Sequence, residues 1–545
     1  MKRIVSFSLL LALSIFLCPA QNYYENARSQ WLQKAEQYKP ELIITEKTPL
    51  EVVNIIPDDH SFQKWKVLNV SPIDSLYNTP FREKKEVILD FGEHMTGNFC
   101  FSVRSTGLAA DGPLKFKLTF GEVPAEVSVP FDPYPGILSR GWLQDETVSV
   151  MYVPETVNIS RRLAFRYVKI ELLGSSPYYD FNIYDVKCFA RTSAKNKPEE
   201  LPLSVDPMIR KIDEVSLNTL KECMQTVYED GPKRDQRLWI GDLYLEALGN
   251  NYSFKQHDLT KRCLYLLAGL SDMNGYLLAT VIENPVPRAQ DKQFLYEYAL
   301  LYNASLKDYL EATNDKETVE DLWPVAKRQL DIIRTYVKAD GLMDFKKLDE
   351  EWWVFFDWKE DLYKEVATQG VAVFALKESY KLAQLLGKEK EVADIPALAD
   401  KMTKAARKKL YDKKTGLFVG LGNKQISYAS QIWMILSGIA TKAEGRKALT
   451  ALNNVPNVCY PGTPYMYHYY IQSLVDCGMN DEAKDALVKY WGGMISKGAD
   501  TFWEAYDPNN DFISPYDFYP LNSYCHAWSC TPVYFIRKYP EIFQK

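Results

Sequence analysis

Between Asp230 and Asp242 the chain reads Asp-Gly-Pro-Lys-Arg-Asp-Gln-Arg-Leu-Trp-Ile-Gly-Asp, setting three carboxylates (Asp230, Asp235, Asp242) among two arginines, a lysine and a tryptophan. A surface loop gains nothing from such crowding, although a solvated, salt-bridged helix start could carry the same composition. A site that cleaves a glycosidic bond has a use for all of it. That chemistry needs one protonated carboxyl group on the leaving oxygen, further carboxylates to hold hydroxyl groups, and an aromatic face for the sugar ring.

Three other segments combine acids with aromatics: Glu350-Glu-Trp-Trp-Val-Phe-Phe-Asp-Trp-Lys-Glu-Asp361, Asp500-Thr-Phe-Trp-Glu-Ala-Tyr-Asp507 and Leu521-Asn-Ser-Tyr-Cys-His-Ala-Trp528. Two acids from distant parts of the chain, each beside a tryptophan, meet the demand for a proton donor on one face of the ring and a carboxylate on the other. Singly the segments say little, since Trp503-Glu504 is a short match and Trp352 and Trp353 would also suit a core. Together they delimit one prospective site.

The elements that must position these segments fall into two halves. From about Val53 to Thr192 the hydrophobic period is two, strictly so in Leu114-Lys-Phe-Lys-Leu-Thr-Phe120. Val87 to Phe91, Asn98 to Ser105, Val148 to Val153 and Phe165 to Leu172 read as further strands, with Gly and Pro clusters between them. This predicts an antiparallel β-sandwich of jelly-roll type over residues 21–194, a leading segment included. Residues 195–205, polar and proline-bearing, read as a linker. From residue 206 to 545 the period is 3.6. Asp206 caps, Pro207 opens the first turn, and Ile212, Val215, Thr219, Leu220, Cys223 and Val227 form one stripe. About twelve helices are predicted, the last from near Asn522. The similar loops Ala339-Asp-Gly-Leu-Met343 and Lys414-Thr-Gly-Leu-Phe418 suggest a repeating hairpin. Six hairpins would close as an (α/α)6 toroid, gathering the four segments at one mouth; a helical solenoid would need a fixed repeat period, which is not found.

Residues 1–20 read as a signal peptide: Lys2 and Arg3, an apolar run from Ile4 to Leu17, then Cys18-Pro-Ala20. Leu17 is bulky for a lipidation site at Cys18, so cleavage near Ala20 and a periplasmic or secreted product are expected. Loss of Lys2 and Arg3 takes the formal charge from −6 to −8, a poor match to nucleic acid or anionic lipid. No later segment is apolar long enough to span a membrane. The remaining cysteines show no CxxC or finger spacing and mostly read as buried hydrophobes; Cys525 and Cys530, five apart on a predicted helix, would point away from each other. Five scattered histidines offer no ligand set, so neither a metal nor a cofactor is called for. An aromatic content of 13% suits a carbohydrate partner, though most of these rings will simply pack in cores. Oligomeric state is not legible.

Asp230 to Asp242 closely resembles the signature of the bacterial α-L-rhamnosidases of glycoside hydrolase family 78, with acids at its first, sixth and thirteenth positions. Ala499-Asp-Thr-Phe-Trp-Glu504 is similar to that family's Thr-Thr-x-Trp-Glu segment, Phe356-Asp-Trp358 to its central Asp-Trp, and Ser523 to Ser529 to its closing His-containing stretch. Leu89 to Asn98 resembles the start of its β-domain. The resemblance implies an inverting exo-hydrolase of terminal α-L-rhamnose on an (α/α)6 barrel. By position it makes Asp235 the general acid and Glu504 the general base, with Asp230, Arg234, Trp239, Asp242, Asp357, Trp358, Trp503 and His526 around the sugar. Two departures stand out. The sixth signature position is commonly Glu, so Asp235 is one methylene shorter and Asp242 remains an alternative acid. The chain also ends soon after Trp528, where a further β-sandwich usually follows. Another sugar on the same barrel, or a glycan-binding protein without catalysis, are the competing readings.

Overall fold

The computed structural model describes residues 22–545; the predicted leader and Cys18 lie outside the described residues. Nine antiparallel strands make up the N-terminal sheet: β1 (Ile43–Lys47), β2 (Glu51–Pro57), β3 (Trp65–Pro72), β4 (Glu86–Thr106), β5 (Leu114–Gly121), β6 (Asp145–Val150), β7 (Glu155–Asn158), β8 (Leu163–Gly174) and β9 (Asp180–Thr192). The two strands expected at Val87–Phe91 and Asn98–Ser105 are one. β4 runs through both, and its ladder shifts register between Asp90 and Met95, where Gly92 takes a φ of 81°. Up to Asp90 β4 pairs with β2 and β8; beyond the shift it pairs again with β8 over Met95–Gly97 and from there with β7 and β9. A bend of this kind lets one strand serve both layers of a sandwich. Phenylalanines interdigitate between the layers: Phe101 with Phe116 at 5.6 Å, Phe116 with Phe181 at 5.7 Å and Phe99 with Phe120 at 5.2 Å between ring centres. The strand expected to reach Val153 stops at Val150, and Met151 and Tyr152 turn outward ahead of Pro154, which has no N–H for a ladder.

The second half forms six helical hairpins. The inner helices Ile240–Asn251, Tyr296–Thr313, Glu365–Leu386, Tyr428–Leu436 and Pro464–Asp476 each pack on the next, and Pro532–Lys538 closes the ring on the first. Their outer partners are His257–Gly269, Lys316–Tyr336, Ile395–Lys409, Lys442–Leu452, Asn480–Ser496 and, for the last, Pro207–Cys223. The sixth hairpin thus joins the first and last helices of the toroid. Inner helices are buried on almost every side, whereas the outer ones keep a polar face for solvent, as their sequences require. The leading helix Glu25–Gln37 docks on the toroid: Trp31 and Ala35 are buried, and Lys34 pairs with Asp321 at 2.6 Å.

No helix begins near Asn522. Residues from Leu521 to Cys530 are extended or in short 3-10 turns, and the α-helix starts at Pro532. Their backbone groups are engaged elsewhere: His526 N–H donates to the Phe502 carbonyl (2.9 Å), Glu504 N–H to that of Ser523 (2.9 Å) and Ala527 N–H to that of Asp230 (2.7 Å). Three acid-bearing segments are thereby stitched together. Cys525 and Cys530 therefore do not share a helix. All eight described cysteines are free and buried, with Cys525 Sγ 3.9 Å from Cys223 Sγ. No described helix is long and apolar enough to cross a membrane.

Candidate active site

A cavity of about 380 Å³, its opening included, lies at the mouth of the toroid. Asp230, Arg234, Asp235, Trp239, Asp242, Trp358, Glu504 and His526 all line it. Asp357 and Trp503 do not. Asp357 sits behind the wall, accepting from Gly462 N–H at 2.7 Å and Thr463 Oγ1 at 2.6 Å, and so ties Trp358 to the start of helix Pro464–Asp476. Burial pushes its carboxyl up to about 6. Trp503 points to the sheet domain and stacks on Phe62, ring centres 4.4 Å apart; a tryptophan next to an acid in sequence faces the other side when the backbone is extended.

The signature block turns sharply before its helix. Gly231 allows the turn, because a Cβ there would stand 2.4 Å from the Arg234 carbonyl oxygen. Gln236 holds a left-handed φ of 60°. Leu238–Trp239 then pairs with Thr280–Ile282, and helix Ile240–Asn251 follows, with Asp242 in its first turn. Gly241 has the Tyr298 ring lying on it, where a Cβ would approach within 2.2 Å, and the Tyr298 hydroxyl donates to Asp242 Oδ2 at 3.3 Å.

The four carboxyl groups have different surroundings. Asp230 is buried and accepts the backbone N–H groups of Asp235 and Arg237, both at 3.1 Å. Burial, then the charges of Asp235 and Asp242, push it well above the usual carboxylate range. Asp242 is raised to about 8, chiefly by burial, with Glu504 adding to the effect. Glu504 is equally buried, and burial works to raise it. Arg234, first among the groups that together outweigh burial and hold it below its ordinary value, donates from Nη2 to Glu504 Oε2 at 2.5 Å. Ser523 N–H donates to the same oxygen at 3.2 Å, and the Tyr516 hydroxyl to Oε1. Asp235 is the most exposed of the four, with 18% of its side chain open against 3% for Glu504 and Asp242 and 7% for Asp230. Arg234 Nη1 donates to its Oδ1 at 3.1 Å, and among the described residues no group donates to Oδ2.

Arg234 is thus a fork between Asp235 and Glu504, held by its own Nε bond to the Leu521 carbonyl (3.0 Å) and by the Tyr516 ring 4.1 Å away. Arg237 instead turns outward to Gln290 at 2.8 Å. His526 lies tilted against Trp528, ring centres 4.3 Å apart, between Asp230 and Asp242 at 4.0 and 3.9 Å. Burial lowers it to about 4, so it is a neutral imidazole at neutral pH. Among the described residues no group of three or more His, Cys, Asp or Glu is placed to hold a metal ion.

The sequence reading missed Leu295, Tyr298, Trp353, Phe355, Tyr516 and Trp528 as lining residues. Trp353, Phe355 and Trp528 lie within segments it singled out. Tyr298 and Tyr516 lie in shorter acid–aromatic runs, Tyr296-Glu-Tyr298 and Tyr516-Asp-Phe-Tyr519, that were a signal it passed over. It also missed the sheet domain's part. Glu122 Oε2 accepts Tyr524 N–H at 2.6 Å, and Glu126 Oε1 accepts Lys233 Nζ at 2.5 Å, so two acids from beyond β5 grip both of these cavity-bordering segments.

Residues 49–190 match the glycosyl hydrolase family 78 alpha-rhamnosidase N-terminal domain, and residues 204–539 the bacterial alpha-L-rhamnosidase 6 hairpin glycosidase domain. Among solved structures, a rhamnosidase from Klebsiella oxytoca with rhamnose bound is 38% identical, with a TM-score of 0.90, covering 94% of this chain and 99% of that one. A family 78 rhamnosidase of Bacillus sp. GL1 (22% identity, TM-score 0.68, 83% and 46% of the two chains) shares the fold. So does the Streptomyces avermitilis alpha-L-rhamnosidase complexed with L-rhamnose (17%, 0.65, 92% and 44%). No curated protein sequence matches the chain. The two domain matches together span the sandwich and the six hairpins, and the chain belongs to the bacterial α-L-rhamnosidases of glycoside hydrolase family 78.

Proposed function

We propose that the protein is an exported, exo-acting α-L-rhamnosidase that inverts configuration, with Asp235 as general acid and Glu504 as general base. The fork of Arg234 carries this reading. One nitrogen helps keep Glu504 ionised, as a base must be; the other orients Asp235 through Oδ1, leaving Oδ2 facing the mouth, where a leaving group departs. A terminal sugar enters with its hydroxyl groups toward Asp230, Asp242 and His526 and its faces toward Trp239 and Trp358. Glu504 takes a proton from water as the water oxygen bonds to the anomeric carbon. The glycosidic bond breaks, and Asp235 delivers its proton to the departing oxygen. The rhamnose in the structure of the 38%-identical relative supports L-rhamnose as that sugar.

Nitrophenyl α-L-rhamnoside hydrolysis tests the reading. Glu504→Gln should be severely impaired on every substrate. Asp235→Asn should lose less on nitrophenyl than on alkyl or sugar rhamnosides, because nitrophenolate departs with less protonation. Proton NMR should show the anomer opposite to the substrate's as the first product; retention would exclude this pair of roles. One observation favours Asp242 as the acid instead, its carboxyl being raised to about 8 and hence protonated at neutral pH. Its depth argues for a sugar-binding role, and a leaving-group dependence in Asp242→Asn rather than Asp235→Asn would reverse the assignment. Within this proposal residues 206–545 are the catalytic unit, 195–205 the linker and 21–194 the sheet domain with its leading segment. Residues 1–20 direct export, and mass spectrometry should find Gln21 at the mature N-terminus; a diacylated Cys18 would overturn that.

A further inference from the structure

Beyond the aromatic wall of the cavity lie further hollows. Trp353, Phe355 and Trp358 also border a second depression of about 880 Å³, its opening included, lined further by Lys359, Gly462 and Ile513. Those last three in turn border a third, of about 1670 Å³, walled by Tyr428, Tyr460, Tyr467 and Tyr470. The three hollows therefore adjoin through shared lining residues, in a run that begins at the catalytic pocket.

Two rings along it are offered to solvent: Trp353 is 40% and Tyr460 52% exposed. Both are backed by other aromatics. Tyr460 stacks on the buried Tyr428 at 5.1 Å and 28°, and Tyr428 meets Tyr470 edge-on at 5.2 Å; Trp353 rests edge-on against Phe355 at 5.6 Å. A ring held on one face and open on the other is a rigid platform, and ordering it on binding costs little entropy. Beyond Tyr460 the groove carries Glu482, Asp485, Lys489 and Asp507, charges of both signs. The acids outnumber the lysines and would repel a polyanion there; a neutral chain rich in hydroxyl groups finds both donors and acceptors.

We propose that this groove is a run of leaving-side sugar subsites, with Trp353 and Tyr460 as stacking platforms, so that the substrate class is a rhamnose-capped neutral oligosaccharide or polysaccharide rather than a small glycoside. A small aglycone would fill only the hollow next to Trp358. This inference rests on the rhamnosidase reading above for the sugar removed, and on the groove alone for the chain that remains.

The test compares the full-length wild type with Tyr460→Ala and Lys489→Ala, both changes at exposed side chains outside the catalytic pocket. The substrates are nitrophenyl α-L-rhamnoside and oligosaccharides of three or more sugars released from rhamnose-bearing plant and bacterial polysaccharides. Tyr460→Ala should lower kcat/KM on the oligosaccharides about three- to tenfold, mostly through KM, as loss of one stacking contact does. Its nitrophenyl rhamnoside turnover should be unchanged. Equal losses on both substrates, or none on the longer ones, would overturn the proposal. Binding of the same oligosaccharides after chemical removal of rhamnose, measured by calorimetry, needs no hydrolysis. It should be detectable in the wild type and lost in Tyr460→Ala, and its absence in the wild type would also overturn the proposal. A wild type that binds these chains but leaves nitrophenyl α-L-rhamnoside intact would refute the rhamnosidase reading while upholding the groove.

Discussion

Replacing Lys233 by methionine would strand two carboxyl groups beneath the active site. Lys233 Nζ donates to Glu126 Oε1 at 2.5 Å and lies 3.1 Å from Glu122 Oε2, and it also donates to the carbonyls of Asn522 and Pro520. All three charged side chains are buried. Burial pushes Glu126 up to about 7, even with the lysine present. Burial acts on Glu122 in the same sense, but Lys233 and His94 outweigh it and hold that carboxyl below its ordinary value. Breaking a buried ion pair from one side costs about 3–5 kcal/mol, because the remaining charge keeps its desolvation penalty without its partner. Glu126 escapes part of that cost by taking up a proton. The loss should therefore be near the upper figure at pH 8 and smaller at pH 6, where Glu126 is already neutral. Urea unfolding followed by tryptophan fluorescence at the two pH values measures it, and Lys233→Met combined with Glu126→Gln should recover about 0.5–3 kcal/mol relative to additivity. A loss below about 1 kcal/mol, or one equal at both pH values, would refute the reasoning. So would an unaltered kcat, since the same lysine holds the carbonyl of Asn522 next to Ser523, whose N–H bonds Glu504.

Asp242, raised to about 8 from an unfolded value near 3.8, contributes stability that is complete below the lower value and lost as pH rises through the higher. Its neutral form should also be the working one, so kcat/KM should fall as pH passes about 8, and the profile of Asp242→Asn should lack that limb. Arg234→Met removes the cation that offsets the burial of Glu504; the acid limb of the pH–rate profile, which reports ionisation of the base, should move to higher pH while kcat drops by about 10²-fold or more. Asp357→Ala leaves the Gly462 N–H and the Thr463 hydroxyl unpaired in a buried position, a loss of about 1–3 kcal/mol in urea unfolding. Because Trp358 rather than Asp357 borders the cavity, the kinetic effect should fall on KM.

Much of this molecule was legible before folding. Alternation such as that of Leu114 to Phe120, and the stripe from Ile212 to Cys223, report which face of an element is buried, and burial periodicity is a local property of the chain. Acids, arginine and tryptophan at Asp230 to Asp242 likewise declare a chemistry by residue type alone. What only the tertiary structure decided is where side chains point and what they meet. Trp503 and Glu504 are neighbours in sequence, yet one packs on Phe62 of the sheet domain and the other faces the cavity. Arg234 turns in and Arg237 turns out, through a turn whose geometry depends on the close packing of Gly231. Leu521 to Cys530 has the look of a helix start, but its backbone hydrogen bonds go to Phe502, Glu504 and Asp230. The different carboxyl environments are likewise set by neighbours more than a hundred residues apart, Arg234 for Glu504 and Lys233 for the sheet domain's Glu122 and Glu126. Periodicity is written along the chain, whereas hydrogen-bond partners and desolvation exist only once distant segments are brought together.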